Sequence, residues 1–478
     1  MPTSSPTIDH GVDLEVFRRY AGLSLPRHVS YPMPTWWKEI DAADAGAMLQ
    51  ESTQQTPGND LSLYVHIPFC QTLCKFCACN RVIVGSANDD VAKRVDRYLD
   101  ALEREIRSLS ASIDAERPLR QIHWGGGSPT YLSGDQIERV FGVIADVFQI
   151  DEQAEIAMEI DPRGVSPEKL SVLKRLGFNR LSMGIQDFDR RTQEHVRRVQ
   201  PFDLVRDVIG TCRELEFESI NFDLIYGMPF QTRETIRDTV EKTISLGPNR
   251  VAFYHYAQIP EKIATQRGMD FKNLPDSEAK LEMFLIGLDL FEQAGYAFIG
   301  LDHFARADEA LTKSLVDRTL QRNFQGMTTG RDLRLLGVGV SAISHLPGIG
   351  FLQSIKDTER YVALIDAGKS PVERGKRFTH DDLIRQYVIG DLYCQATIEP
   401  KTIERRFGID FANYFAPEMA TMEELSRDGL VSVGADDVIQ LSTPLGRVLM
   451  RNVAAVFDAY LDKNAYREGA RYCYSASA

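Results

Sequence analysis

The 478-residue chain has no apolar run near the roughly 20 residues that a membrane-spanning helix needs, and no such span is expected. Its first ten residues, Met-Pro-Thr-Ser-Ser-Pro-Thr-Ile-Asp-His, hold neither the basic start nor the apolar stretch of a secretion signal. A cytoplasmic protein is therefore expected. Positive charge is scarce, with 55 Lys and Arg against 68 Asp and Glu and a net charge of −13. General binding to a phosphate backbone needs a basic surface and is disfavoured, although a local basic pocket is not. A disulfide framework is missing too. The cysteines number seven, an odd count, and Cys212, Cys394 and Cys473 are scattered. In a cytoplasmic chain, clustered thiols read as metal ligands rather than staples. What is present in quantity, 43% hydrophobic and 26% charged residues, describes a globular protein. The length exceeds what one core supports, so one large domain with a smaller appendage is expected.

Residues 1–60 read as an arm with little core of its own, broken by Pro26, Pro32, Pro34 and the pair Trp36-Trp37. From residue 61, short apolar runs alternate with amphipathic stretches. Strands are expected at 62–68, 119–124, 155–161, 180–186, 219–225, 250–256 and 297–301. Helices are expected at 89–112, 134–148, 166–176, 202–216, 233–246 and 277–295. The helix expectation rests on spacing such as Val91, Val95, Tyr98, Leu99, Leu102 and on starts at Ser133 and Ser166. Repeated β-then-α implies an α/β fold with a parallel sheet, closed or partly closed into a TIM-like barrel over 61–365. Chemistry-bearing residues gather where the strands end, which favours a barrel over a doubly wound sheet. Beyond that, 366–478 reads as a mainly helical C-terminal domain serving as a lid. Its helical patterns fall at 380–395, 401–407, 415–428 and 446–463, with a small hairpin at 429–441. A winged-helix reading of that unit is disfavoured by the acidic charge. Residues 472–478 read as a frayed tail.

Directly after the first strand, Leu63-Tyr-Val-His-Ile-Pro-Phe69, come Cys70, Cys74, Cys77 and Cys79. The first three are spaced C-x3-C-x2-C. Three thiolates on a cubane iron–sulfur cluster leave one bare iron, whose coordination a small molecule can complete. Zinc is one rival, but it prefers two separated pairs of ligands arriving from different directions. A closed four-cysteine cluster for electron transfer is the other.

The run Tyr64-Val-His-Ile-Pro-Phe-Cys-Gln-Thr-Leu-Cys-Lys-Phe-Cys-Ala-Cys-Asn80 resembles the oxygen-independent coproporphyrinogen III oxidase (coproporphyrinogen dehydrogenase) family of radical S-adenosylmethionine (SAM) enzymes. The likeness continues in order through His123–Leu132, Glu159–Arg163, Leu181–Phe188, Asp223–Pro229, Asp302–Arg306, Arg322–Gly326 and Gly337–Ser344, spanning roughly residues 15 to 465. The resemblance implies a [4Fe–4S] cluster on Cys70, Cys74 and Cys77. It also implies SAM contacts from Gly126, Gly127, Ser128, Glu159, Gln186, Arg198 and Asp223, with Tyr64, Phe76, Ala257 and Ile343 packing around the nucleoside and sulfonium. Arg198 would pair with the methionine carboxylate, and Arg197 beside it reads as solvated. Tyr64, Glu159, Phe324 and Gln325 are expected at the reacting centre. A second SAM is implied nearby, with Cys79 a non-ligand thiol close to it.

The substrate so implied is a porphyrinogen with four propionates, which asks for a basic, aromatic-lined pocket. Candidates are Arg27, Tyr31, Arg306, Arg322, Phe324 and Gln325, with His303 a possible proton carrier. A propionate β-carbon has no acidic proton, so base catalysis would not suffice. The family's answer is reductive cleavage of SAM, hydrogen abstraction by the 5′-deoxyadenosyl radical, and loss of CO2 and one electron to leave a vinyl group. Two such events convert coproporphyrinogen III to protoporphyrinogen IX. A flavodoxin- or ferredoxin-like electron donor is implied, and no oligomer interface is evident, so a monomer is expected. The chain departs from the family at Leu25-Pro-Arg-His-Val-Ser-Tyr-Pro-Met33 (usually G-P-R-Y-T-S-Y-P-T), at Ala78 (Gly), at Met327 (an aromatic) and at Arg197 (Asn). Two rival readings are a paralogue acting on another tetrapyrrole or transferring a C1 group, and a haem-binding chaperone.

Overall fold

The computed structural model describes residues 12–56, 58–85 and 88–461. Its framework is β1 (Leu61–Ile67), α1 (Asp89–Ala111), β2 (Pro118–Gly126), α2 (Gly134–Val147), β3 (Gln149–Ile160), α3 (Pro167–Arg175), β4 (Arg180–Gln186), α4 (Phe202–Glu214), β5 (Ser219–Tyr226), α5 (Arg233–Leu246) and β6 (Arg250–His255). Neighbouring strands β1 to β6 pair in parallel, each joined to the next by its helix. Four of these five helices start where side chains accept the free N–H groups of a first turn. Asn88 caps α1, and Ser133 with Gln136 forms a reciprocal box on α2.

Packed in the core on one face and lining a cavity on the other, these strands alternate two kinds of residue. Leu63, Val65, Ile67, Ile122, Trp124, Met158, Leu181, Met183, Phe222 and Leu224 are buried in the core. The intervening positions are Tyr64, His66, His123, Glu159, Ser182, Asn221 and Asp223, so the opposite face of the sheet is polar.

The sheet does not close. After α6 (Ser277–Gln293) come β7 (Tyr296–Gly300) and β8 (His303–Arg306), and β8 pairs antiparallel with both β6 and β7. The run at 297–301 is thus an antiparallel edge and not a further βα step. On the other side, β9 (Arg334–Val338) adds in parallel to β1. It is followed antiparallel by β10 (Ile343–Leu346), β11 (Gly350–Ser354) and β12 (Val372–Arg377). Lys38–Glu39 completes the thirteen strands by pairing with β12.

The N-terminal segment is more ordered than its prolines suggest. It forms helices Leu14–Ala21 and Ala42–Gln55 and buries Phe17, Tyr31 and Met48 in the main core. Beyond β12, helix α7 (His380–Gln395) precedes shorter helices and a three-stranded sheet that contains the expected hairpin. The helix expected over 446–463 is broken into Leu445–Val448 and Met450–Val456. The expected tail at 472–478 lies outside the described residues. Among the described residues no helix is long and apolar enough to cross a membrane.

Glu105 locks α1 to the turn that follows β9 and to the helix Thr358–Asp366. Its carboxylate accepts from Gly339 N at 2.7 Å and from Tyr361 Oη at 2.5 Å. Burial pushes this carboxyl up to about 7, and the two hydrogen bonds offset it only in part. The native state therefore keeps the proton to higher pH than the unfolded chain does, and stability falls as pH rises from about 4.5 to about 7. Glu105→Gln removes that dependence. Its stability relative to wild type should shift in favour of Gln by on the order of 3 kcal/mol between pH 5 and pH 8. Denaturant unfolding at the two pH values checks this.

Candidate active site

The cysteine loop leaves the C-terminal end of β1 and is closed on itself. Phe69–Cys70 pairs in parallel with Val82–Ile83, Val84 N donates to Cys70 O at 3.0 Å, and Cys77 N donates to Cys74 O at 3.2 Å. Two later segments clamp it. Val196 O accepts from Lys75 N at 3.0 Å, and Thr265 Oγ1 donates to Cys77 O at 3.2 Å. The end of β2 lies flush against the loop. Gly127 N donates to Ile67 O at 2.8 Å and Ser128 N to Phe69 O at 2.9 Å. No side chain fits here. A Cβ on Gly127 would sit 2.5 Å from Pro68 O, and one on Gly126, at φ +110°, would sit 2.4 Å from the His66 ring.

All four cysteines, Phe76, Gly126–Ser128, Glu159, Asp161, Arg163, Gln186, Arg198 and Asp223 line one cavity of about 760 Å³. Glu159, at the end of β3, accepts from Gly126 N at 3.1 Å and from His123 Nε2 at 3.3 Å. Burial would raise this carboxyl, but His123 and the Gly126 amide outweigh it and hold it low. Behind it, Tyr64 stacks on His123 with ring centroids 6.0 Å apart. His66 donates from Nε2 to Asn80 O at 2.9 Å, and burial keeps the ring neutral. Its Nδ1 therefore accepts from Tyr64 Oη at 3.1 Å.

Opposite stands a paired-charge network. Asp161 meets Arg163 at 2.6 Å and Arg198 at 3.2 Å. Burial raises Asp161, but the two guanidiniums win and bring it down to about 2. Arg198 and Arg163 also point N–H groups at Cys74 Sγ, at 3.6 and 4.0 Å. The Cys77 thiol is lowered to about 6, first by its hydrogen bond with Cys79 and then by Arg81. Asp223 behaves oppositely. Burial and the nearby Glu159 charge push it up to about 6, despite donation from Asn221 and Ser182.

The structure thus brings together Cys70, Cys74, Cys77, Phe76, Gly126, Gly127, Ser128, Glu159, Gln186, Arg198 and Asp223. Tyr64 supports this group from behind. The fork of Arg198 is engaged by Gly184 O, at 3.1 Å from Nε and 2.6 Å from Nη2, so it does not present the free bidentate face expected for a carboxylate. Ala257 and Ile343 are not on the cavity wall. Ala257 O accepts from Gln266 Nε2 at 2.8 Å, and Ile343 is held in the β10–β11 ladder.

A second cavity, of about 500 Å³, is lined by Tyr31, Arg322, Phe324, Tyr387 and Tyr393 among others. Phe324 and Gln325 occupy the turn between the short strands Gln321–Asn323 and Gly326–Thr328. Nε and Nη1 of Arg322 and Nε2 of Gln325 are buried without a hydrogen-bond partner. Arg27 pairs with Asp302 at 3.2 Å and lies 5.9 Å over Tyr254. His303 is buried and held neutral by desolvation and by Arg322. Arg306 is excluded from either cavity. Because β8 runs antiparallel to β6, its end returns to the start of β6, where Arg306 is exposed beside Asp308.

Sequence reasoning missed Arg81, Arg163, His66 and His123. The last two were legible in principle, because Tyr64, His66 and His123 continue the period-two polar face that Glu159 and Asp223 mark.

An iron–sulfur cluster fits what is present. A single ion draws its donors to about 2.3 Å from one point. Among the described residues no three His, Cys, Asp or Glu side chains converge in that way. Three thiols instead ring one side of a roomy cavity, with guanidiniums aimed at Cys74 to favour thiolate.

Comparison with known proteins agrees with this chemistry. The model of the radical SAM superfamily matches residues 64–243. The oxygen-independent coproporphyrinogen III oxidase of Salmonella typhimurium is 41% identical over 453 residues, covering 95% of this chain and 96% of the relative. That of Synechocystis sp. is 39% identical over 475 residues, covering 98% and 99%. A solved structure of the coproporphyrinogen III oxidase from Escherichia coli, described as a radical SAM enzyme, superposes with a TM-score of 0.86. It shares 39% identity over 94% of this chain and 99% of that one.

Proposed function

The chain belongs to the oxygen-independent coproporphyrinogen III oxidase family of radical SAM enzymes, and on that footing we propose that it decarboxylates two propionates of coproporphyrinogen III oxidatively to give protoporphyrinogen IX. It is a radical SAM oxidoreductase whose cofactors are a [4Fe–4S] cluster and SAM. The observation that carries the site assignment is the shared cavity in which three cysteines meet the polar face of the sheet. When bound, the cluster and SAM supply one-electron reduction and a radical that takes a hydrogen from the substrate.

The chain's own residues do the rest. Cys70, Cys74 and Cys77 hold the cluster, leaving Cys79 free. Gly126, Gly127 and Ser128 let SAM approach the backbone. Glu159, pre-oriented by Gly126 N and His123, accepts from two ribose hydroxyls, while Gln186, Asp223 and Phe76 complete the SAM wall. Arg198 and Arg163 keep Cys74 in a positive field, and Asp161 fixes both. Tyr64 acts through His66 and His123 as a positioning residue. The porphyrinogen extends from this cavity past Tyr254 toward Phe324, Arg322 and Gln325, and the unpartnered donors of Arg322 and Gln325 suit propionate carboxylates.

The division into arm (1–60), barrel (61–365) and lid (366–478) serves exclusion of water, with Lys38–Glu39 of the arm and β12 beyond residue 366 completing the barrel's sheet. It is supported by the buried pair His28–Asp458 at 3.0 Å, which ties arm to lid. The enzyme acts as a single chain and draws electrons from a flavodoxin- or ferredoxin-like carrier.

Anaerobic turnover of coproporphyrinogen III tests this reading, comparing wild type with Arg322→Gln. Wild type should form protoporphyrinogen. The variant should raise KM for the porphyrinogen by on the order of 10–100-fold, the worth of charge-assisted hydrogen bonds, and leave SAM affinity unchanged. An untouched substrate with intact SAM cleavage would move the reading to another tetrapyrrole.

A further inference from the structure

The charge around the cysteine loop is opposite to that of the whole chain. Three segments form its outer collar. They are the loop itself (71–81), the stretch 195–200 whose Val196 O holds Lys75 N, and the stretch 259–268 whose Thr265 and Gln266 donate to Cys77 O and Phe76 O. Together they carry six Lys or Arg against the carboxylate Glu261, with Glu194 and Asp270 flanking them. The chain as a whole has 68 acids and 55 bases. Arg81 and Arg198 line the cavity. Arg197, Lys262 and Arg267 are exposed, and Lys75 is half-buried. Within the collar, Ala78 of the loop also reaches the surface. So does Ile83, which is 41% exposed and stands opposite Cys70 in the strand pairing. A cluster of exposed bases beside the loop that holds the cofactor has the make-up of a docking face.

We propose that this collar docks a small acidic electron-carrier protein, with Arg197, Lys262 and Arg267 steering it. This rests on the reading above, in which the cluster is reduced from outside. One electron leaves the reduced carrier and enters the cluster, taking it from the 2+ to the 1+ state, and no atoms are exchanged. On a chain of net charge −13 the rest of the surface repels such a carrier, so a local basic face directs the encounter to the cluster.

The test uses the anaerobically reconstituted full chain. It is mixed with reduced flavodoxin or with dithionite, and bleaching of the cluster absorbance is followed at low and high salt. The variant Arg197→Glu/Lys262→Glu/Arg267→Glu should be reduced at least about tenfold more slowly by flavodoxin at low salt, with the gap closing at high salt. Dithionite should reduce variant and wild type equally. The corresponding triple Gln variant should fall between the two. Equal flavodoxin rates for all three proteins, an equal loss with dithionite, or no flavodoxin reduction of wild type would overturn the proposal. Bleaching does not depend on the substrate. A chain that is reduced as expected yet leaves coproporphyrinogen III untouched would refute the proposed function and not this surface.

Discussion

Replacing Cys70, Cys74 or Cys77 singly by Ser should abolish cluster incorporation and turnover, whereas Cys79→Ser should keep the cluster. Each of the three is fixed by backbone contacts that a Ser would preserve. Cys70 lies in the Phe69–Val82 pairing, and Cys74 and Cys77 close one turn. A change is thus confined to the donor atom, and a hydroxyl at neutral pH does not replace a thiolate. Cys79 lies beyond the last hydrogen-bonded turn, on an exposed stretch. Its thiol sits beside Cys77, so adjacency alone does not separate the two readings. Iron and sulfide content after anaerobic reconstitution does, with about four irons per chain expected for wild type and Cys79→Ser. Equal loss in all four variants would mean a closed four-cysteine cluster, with no open iron for SAM.

The second large effect is expected at Glu159. In Glu159→Gln the Gly126 N–H keeps an acceptor, but the charge is gone and one oxygen becomes a donor. In Glu159→Ala both the Gly126 amide and His123 lose their partner. Two charge-assisted bonds to ribose hydroxyls are worth about 1.5–3 kcal/mol each at most. SAM affinity should therefore fall on the order of 10–100-fold in Gln and further in Ala, with iron content unchanged. Equilibrium binding of SAM to the reconstituted variants reads this directly. Unchanged affinity would remove Glu159 from the SAM wall and leave it as a brace for the Gly126 turn.

Much of the fold was legible because its signals are local. The parallel strands from β1 to β6 appear within a few residues of the expected places, and Ser133 and Ser166 do cap α2 and α3. What was not legible is non-local. β9 joins β1 across some 270 residues of sequence, and nothing in Arg334–Val338 announces the pairing. β7 was read as one more parallel strand, yet only Leu301 and Asp302 separate it from β8. That is a turn length for antiparallel neighbours, whereas a parallel crossover takes a dozen residues or more. Arg306 was misplaced for the same reason. The expected helix at 446–463 ends early, and the chain turns so that Asp458 reaches His28 on the arm, a contact no periodicity encodes. The cysteine spacing was the plainest signal because it is chemistry written in nearby residues. The proposed propionate side was dimmest, since Arg322 and Gln325 are singled out only by donors left unpaired in the folded state.

The most direct measurement counts 5′-deoxyadenosine and porphyrinogen products in the same anaerobic reaction of reconstituted protein, SAM, reductant and coproporphyrinogen III. The account expects protoporphyrinogen IX, with one 5′-deoxyadenosine for every vinyl group formed. Protoporphyrinogen formed without 5′-deoxyadenosine, or a verified cluster that cleaves no SAM in the presence of substrate, would contradict it.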